Sequence, residues 1–293
     1  MTLENASPCK VNLLLNILGK RADGFHELET VMHPVAVCDR MRFERAGTRI
    51  ELTCNHPELP VDARNLAHRA AVAFREKTGI REGVRIYLEK RIPLAAGLGG
   101  GSGNAATTLL SLNELFGAPL SFEQLEEVAA GLGSDVPFFL QRRPALGTGR
   151  GERIQPLEPF PAMRGAAFVL VHPGFGISTA WAYQNLARFP EALNGKARRA
   201  RELIGLLQAG DLTAAGGRFY NSLEAPALEK YPLLALFQEF FRGHGASATL
   251  MSGSGSSTFA IAGSLAAANK LAEEFRGKFG DTHWMATVPA AGD

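Results

Sequence analysis

Apolar and polar side chains alternate in several short stretches of this chain, and between them lie runs in which apolar residues return every third or fourth position. "CKVNLLLNIL" (Cys9–Leu18), "LETVMHPVAV", "RIELTC" and "GVRIYLEKRI" read as strands. Pro34 marks the second as an edge strand or a bulge. "ARNLAHRAAVAFREKTG" reads as an amphipathic helix from about Asn65, stopped by Gly79. A glycine-rich loop follows the fourth strand, then "NAATTLLSLNELFG" as a helix ending at Gly117. Ser121 and Gln124 form a capping box for "FEQLEEVAAGLG".

Three prolines crowd "QPLEPFPAM" (Gln155–Met163) between two apolar runs, which marks a junction between domains spanning residues 1–158 and 159–293. Beyond it, "AAFVLVHPG" reads as a strand, and "STAWAYQNLA", "RARELIGLLQAG" and "LEKYPLLALFQEFFRGHG" as helices. The last of these is read as one helix despite Pro232. "SATLMSGSGSSTFAIAG" is strand, glycine turn, strand; "SLAAANKLAEEFRGKFG" is a helix and "THWMATV" a final strand. The class is α+β with mixed sheets in two domains.

Composition narrows the function by exclusion. The net charge of +2 is spread without a Lys/Arg block, so no nucleic-acid footprint is present. "KARRARELIGLL", the most basic segment, places its arginines at helical spacing, as a solvated helix face does. Three cysteines, Cys9, Cys38 and Cys54, are odd in number and widely spaced. They suit neither a disulfide framework nor a zinc site, and point to a reducing compartment. No segment reaches the apolar length of a membrane span and no secretory leader pattern opens the chain. The expectation is a soluble cytoplasmic protein with no membrane partner; the oligomeric state is not legible.

The chemistry concentrates in "PLAAGLGGGSGNAA" (Pro93–Ala106), which holds five glycines between a strand and a helix. That arrangement aims unpaired backbone N–H groups and the positive end of a helix dipole at an anion. Gly97–Gly103 therefore reads as a phosphate cradle, with the Ser102 hydroxyl available to phosphate or a metal. It is not a Walker A loop, because Gly101 is followed by Ser102 and Gly103 rather than lysine. Counting from Gly97 and Gly99, Ser102 stands where a dinucleotide fingerprint needs its third glycine. A protein-kinase loop fails the same count, and no G-x-S-x-G elbow is present. A plain tight turn is the competing reading.

Two charged residues stand out against apolar surroundings. Val11, Leu13, Leu15 and Ile17 make one face of the first strand, and Lys10 and Asn12 share the other. Lys10 is either an edge solubiliser or a placed charge. Asp135, in "GLGSDVPFFL", falls where a helix ends and a buried segment begins, as a cap aspartate or a placed carboxylate.

Together, "SPCKVNLLLNILGKRADGFHELET", "PLAAGLGGGSGNAA" and "LMSGSGSSTFAIAG" resemble, in order, the three signature motifs of the GHMP kinase superfamily of small-molecule kinases. The resemblance covers nearly the whole chain. "RADGFH", "GSDVPFF" and "HPGFGIST" resemble the branch whose acceptor is 4-diphosphocytidyl-2-C-methyl-D-erythritol, in non-mevalonate isoprenoid synthesis.

The resemblance implies an N-terminal domain of ribosomal-protein-like fold, a C-terminal ferredoxin-like domain, and an active site in the cleft. It implies ATP as phosphoryl donor, Mg²⁺ as cofactor, and transfer to the 2-hydroxyl of the cytidyl-diphosphate-linked methylerythritol. By motif, Lys10 and Asp135 match the catalytic pair. Pro93, Leu94, Ala95, Ala96, Gly97, Leu98, Gly99, Gly100, Gly101, Ser102 and Gly103 match the phosphate loop, with Ser102 nearest a metal. Asn65 and Lys90 fall where adenine is contacted. Asn12, Phe25, His26, Thr179, Tyr183, Gly253 and Gly255 fall on the acceptor side, Phe25 and Tyr183 as a sandwich for cytosine and His26 reading its edge.

Three positions and one segment depart from the usual motif. Phe25 replaces a tyrosine, Gly103 a serine and Cys9 an alanine, and serines fill much of Gly253–Ser257. With glycine already at 103, Gly103→Ser is expected to be tolerated. A sibling kinase acting on homoserine, mevalonate or a sugar shares the glycine loop, and a non-catalytic nucleotide or metabolite sensor shares the fold.

Overall fold

The computed structural model describes residues 2–193 and 195–290. The chain forms two compact units that alternate along the sequence: Met1–Cys9, Cys38–Ile92 and Gly99–Arg142 make the first, and Lys10–Val37, Pro93–Leu98 and Arg143–Asp293 the second. Two long strands, β1 (Thr2–Lys20) and β2 (His26–Arg45), contribute to both. The proline-rich stretch Gln155–Met163 lies inside the second unit.

In the first unit, β3 (Ile50–Cys54) runs parallel to β4 (Val84–Glu89), which pairs antiparallel with Arg40–Arg45 of β2. α1 (Leu66–Thr78) ends at Gly79, whose φ of 71° and N–H bond to Arg75 O close the helix. α2 (Gly100–Leu115) and α3 (Phe122–Leu132) pack beside it, and the Ser121–Gln124 capping box forms as expected. A short 3-10 helix, Pro137–Leu140, follows, with all four residues buried. Phe43, Phe74, Ile86, Leu88 and Leu112 are fully buried in this unit's core. One start differs from the sequence expectation. α2 begins at Gly100, not at Asn104, because Gly99 takes a φ of 68° and turns the chain into the helix within the glycine run.

In the second unit, β5 (Ala145–Gly149) pairs with Leu28–Met32 of β2 and carries β6 (Arg153–Pro156). Pro34 falls between the segments of β2 that pair with β5 and with β4, so neither of those ladders needs an N–H from it. β2 is therefore neither an edge strand nor broken by its proline. Strands β7 (Ala167–His172), β8 (Tyr220–Asn221), β9 (Ala248–Met251), β10 (Thr258–Ala262) and β11 (Trp284–Pro289) complete the strands. Four of them make an antiparallel sheet in the order β11-β7-β10-β9.

The helices of this unit are α4 (Thr179–Leu186), α5 (Arg199–Gln208), α6 (Leu212–Gly216), α7 (Glu224–Lys230), α8 (Pro232–Gly243) and α9 (Leu265–Phe279). With α8 and α9, the sheet has the β-α-β-β-α-β succession of a ferredoxin-like layer. Phe237, Phe241 and Phe275 fill the space over Val169, Val171 and Ala260. The single helix expected across Pro232 is two helices, since proline fits the first position of α8 and cannot serve inside a longer one. Among the described residues, no helix is long and apolar enough to cross a membrane.

His33 gives the second unit an acid sensitivity. Its ring is buried between Phe160 and Phe168, with Nδ1 2.7 Å from Pro34 O. Burial pulls its pKa down from 6.5 to about 4. The unfolded chain takes up this proton through pH 6.5, while the folded chain resists until near pH 4. Stability is therefore undiminished above 6.5 and falls as pH drops toward 4, by about 3 kcal/mol. His33→Phe is expected to flatten the pH dependence of the urea midpoint across that window. An unchanged slope would assign the acid limb to other groups.

Candidate active site

Lys10 and Asn12 do share a face of β1, but that face is buried: each is 3% exposed. β1 lies between β2 and β8, so Lys10 is no edge solubiliser. Its Nζ donates to Asn12 Oδ1 at 2.5 Å and to Gly97 O at 3.3 Å. The Asn12 amide is fixed in turn, because its Nδ2 donates to Thr30 Oγ1 at 2.8 Å and Thr30 Oγ1 donates to Leu14 O. An ammonium held this way is costly to bury and is kept by the polar groups that aim it. The first half of the glycine loop is built onto the same strand, since Lys10 N–H donates to Leu98 O at 2.9 Å.

The third glycine motif braces that half. Ser252 Oγ donates to Gly97 O at 3.0 Å, and Ser257 N–H donates to Ala96 O at 3.1 Å. Gly97 has a φ of +75°, and a Cβ there would run into Ser252 O. Ala95 also takes a positive φ, 51°, and packs against Gly176, which has no room for a side chain. Pro93 and Leu94 are half-buried, and Ala96 and Leu98 are buried. Gly253 closes the other side: a Cβ on it would stand 3.3 Å from Lys10 Nζ and 2.9 Å from Gly97 O.

In the first unit, α2 opens with Gly100, Gly101, Ser102 and Gly103. No side chain caps its N-terminus among the described residues. Gly101 is exposed, and a Cβ there would meet only Leu66 Cδ1, at 3.6 Å. Protein packing therefore does not require glycine at 101. The bare first turn suits an anion approaching the backbone N–H groups, and the half-buried Ser102 hydroxyl is a hard oxygen donor of the kind that could serve a divalent cation.

Gly103 is different. A Cβ there would lie 2.6 Å from Pro8 O and 3.2 Å from Ser7 Oγ, so the expectation that Gly103→Ser is tolerated is withdrawn. Backbone atoms do not yield as a flexible side chain would. Gly103→Ser is expected to lower stability by about 1–3 kcal/mol, the usual cost of overpacking. A thermal midpoint equal to that of the parent protein would contradict this.

Lys90 and Asn65 are both buried. Asn65 is the N-cap of α1: its Oδ1 accepts Ala67 N–H at 2.9 Å and its Nδ2 donates to Pro60 O at 2.8 Å. The Lys90 ammonium pairs with Asp39 Oδ2. Asp39, fully buried, also accepts Arg91 N–H at 2.7 Å, Ile92 N–H at 2.8 Å and Asn104 Nδ2 at 2.9 Å. This hub joins the end of β4 to α2, and sequence reasoning missed it. The signal was an aspartate inside the apolar run "VAVCDRMRF", the same kind of anomaly that exposed Lys10. Asp135 is half-buried in the turn between α3 and the 3-10 helix, where the sequence placed it.

His26 and Tyr183 lie with ring centroids 5.0 Å apart. Phe25 is 52% exposed and carries the Arg150 guanidinium over its ring at 4.6 Å. Burial and the nearby Lys20 lower the pKa of His26, which keeps the imidazole neutral near pH 7. Thr179, at the start of α4, shares a hydrogen bond of 2.9 Å with Ser254 of the third motif. Gly255 has no free space either, because a Cβ on it would meet Met251 and Ile177.

Comparison with known proteins shows the family. The pattern of the GHMP kinases N-terminal domain matches residues 65–143, and that of the GHMP kinases C-terminal domain residues 189–281. A 4-diphosphocytidyl-2-C-methyl-D-erythritol kinase from Syntrophotalea carbinolica is 40% identical over 257 residues, covering 87% of this chain and 88% of the relative. A crystal structure of a 4-(cytidine 5'-diphospho)-2C-methyl-D-erythritol kinase superposes with a TM-score of 0.78 at 35% identity, over 99% of this chain and 100% of that one. A homoserine kinase from Cytophaga hutchinsonii matches with a TM-score of 0.76 over 98% of this chain and 93% of its own, but at 20% identity, a likeness of fold alone. The chain thus belongs to the GHMP kinases and, within them, to the 4-diphosphocytidyl-2-C-methyl-D-erythritol kinase family.

Proposed function

We propose that this kinase transfers the γ-phosphoryl group of ATP to the 2-hydroxyl of 4-diphosphocytidyl-2-C-methyl-D-erythritol. The observation that carries this reading is the Lys10 ammonium, buried and aimed by Asn12 and Gly97 O beside a brace of glycines. Phosphoryl transfer needs little covalent help from the protein and much positioning and charge stabilisation.

Asp135 accepts the proton of the acceptor hydroxyl. Lys10 steadies the attacking oxygen and the charge that builds on the transferred group. The backbone N–H groups of the glycine loop hold the phosphates, and Asn65 and Lys90 stand on the adenine side, Lys90 held by Asp39. Mg²⁺, when bound, neutralises charge on the terminal phosphates; the Ser102 hydroxyl is its proposed protein ligand, in keeping with an ion that retains most of its waters. On the acceptor side, the exposed Phe25 ring and Tyr183 offer aromatic surface to cytosine, and neutral His26 offers one donor and one acceptor to its edge.

Stacking of a base on an aromatic side chain contributes about 1–3 kcal/mol. Tyr183→Ala or Phe25→Ala is therefore expected to raise KM for the cytidyl acceptor by about 5- to 150-fold, with little change in KM for ATP. Methylerythritol phosphate, which lacks the cytidyl group, is expected to be a poor acceptor. If it is phosphorylated as well as the cytidyl compound, the aromatic recognition is wrong.

A further inference from the structure

Asn221, the last residue of β8, is 2% exposed, and its amide is used on both sides. Nδ2 donates to Met251 O and to Gly253 O, both at 2.8 Å, and Oδ1 accepts Leu223 N–H at 2.9 Å. At the start of α7, Glu224 Oε1 accepts Met251 N–H at 2.7 Å. Gln238 Nε2 donates to the same oxygen, and burial raises the pKa of this carboxyl. The segment 221–224 thus grips the backbone N–H and C=O of Met251 and the carbonyl two residues further on. Those groups open the third glycine turn. That turn supplies the Ser252 hydroxyl to Gly97 O, and a Cβ on its Gly253 would stand 3.3 Å from Lys10 Nζ and 3.5 Å from Asn12 Oδ1.

We infer that Asn221 is a positioning residue for phosphoryl transfer, acting through the third glycine turn on Lys10 and Gly97. The inference rests on the reading of Lys10 given above. The geometry explains why asparagine is needed. Aspartate would set a carboxylate against two carbonyl oxygens, serine can reach at most one of them, and glutamine adds a methylene at a buried position. The turn is closed by its own bonds, Gly255 N–H to Ser252 O and Ser252 N–H to Ser257 O, both at 2.9 Å, so it shifts as a unit, and the grip of Asn221 and Glu224 on Met251 and Gly253 helps set where that unit stands over Gly97.

The test is steady-state kinetics on Asn221→Ser, Ser252→Ala and Lys10→Met, alone and combined, with ADP affinity and the thermal midpoint measured on the same preparations. A displacement of the order of an ångström near reacting groups lowers turnover steeply, so kcat is expected to fall by about 10- to 100-fold in Asn221→Ser. KM for both substrates and ADP affinity should change little. Ser252→Ala removes one hydroxyl, keeps the backbone, and should shift kcat in the same direction. In the Lys10→Met background, Asn221→Ser should cost nothing further, because both act through the same group.

Unchanged kcat per folded molecule in Asn221→Ser and Ser252→Ala, with only a lower midpoint, would overturn the inference. So would a full additional loss on top of Lys10→Met. Should Asn221→Ser fail to fold, Ser252→Ala and its combination with Lys10→Met decide the matter alone. Near-normal turnover of Lys10→Met would instead remove the reading of Lys10 itself, so the two failures are separable.

Discussion

Asp135→Asn lowers kcat by about 10²–10⁴ while nucleotide affinity stays near that of the parent enzyme. The size follows from what is removed. An amide of the same shape keeps the turn between α3 and the buried Pro137–Leu140 helix but no longer accepts a proton. Asp135 is half-buried at the surface of its unit, so the exchange should leave the core intact. Single-turnover measurements with saturating ATP isolate the chemical step. Turnover within a few-fold of the parent would take Asp135 out of the reaction.

Lys10→Met has the second largest expected effect, a loss of about 10²–10³ in kcat, the range seen when one donor to a developing charge is removed. Methionine keeps the length of the side chain and its packing in the buried face of β1. It leaves Asn12 Oδ1 without the ammonium, so some stability is lost as well. The diagnostic quantity is therefore kcat on folded protein rather than yield. Combined with Asp135→Asn, Lys10→Met should cost far less than the product of the two single losses if the groups serve one step. Multiplying losses would mean that they serve different steps.

Much of the fold was legible because its signals are local. Asn65 and Gly79 bracket α1, Ser121 and Gln124 cap α3, β4 alternates buried and exposed positions, and the apolar run of β7 is buried throughout. What was misread depends on partners distant in sequence. β5 carries two glycines and β6 is only four residues long, and they become strands by pairing, β5 with β2 and β6 with β5. α8 needed its proline read as a beginning rather than as a tolerated interruption.

The candidate site divides in the same way. Lys10 was visible as a charge in an apolar strand, and the glycine run as a bare helix start. The residues that hold them were not. Asp39 sits 51 residues from its lysine partner. Asn221 lies 30 and 32 residues from the carbonyls it binds. Neither belongs to a motif, and their meaning appears only when the backbone brings the partners together. Gly103 shows the limit from the other side, since a one-residue departure that looked neutral is a close contact with Pro8 O.

The acceptor is the central claim, and one experiment addresses it directly. The protein is incubated with ATP, Mg²⁺ and an equimolar mixture of 4-diphosphocytidyl-2-C-methyl-D-erythritol, mevalonate, homoserine and galactose. Products are followed by mass spectrometry, and the site of phosphorylation is read by phosphorus NMR. Consumption of the cytidyl compound alone, with one phosphate gained at its 2-hydroxyl, is the predicted result. Preferential phosphorylation of any of the other three, or no ATP-dependent product at all, would contradict it.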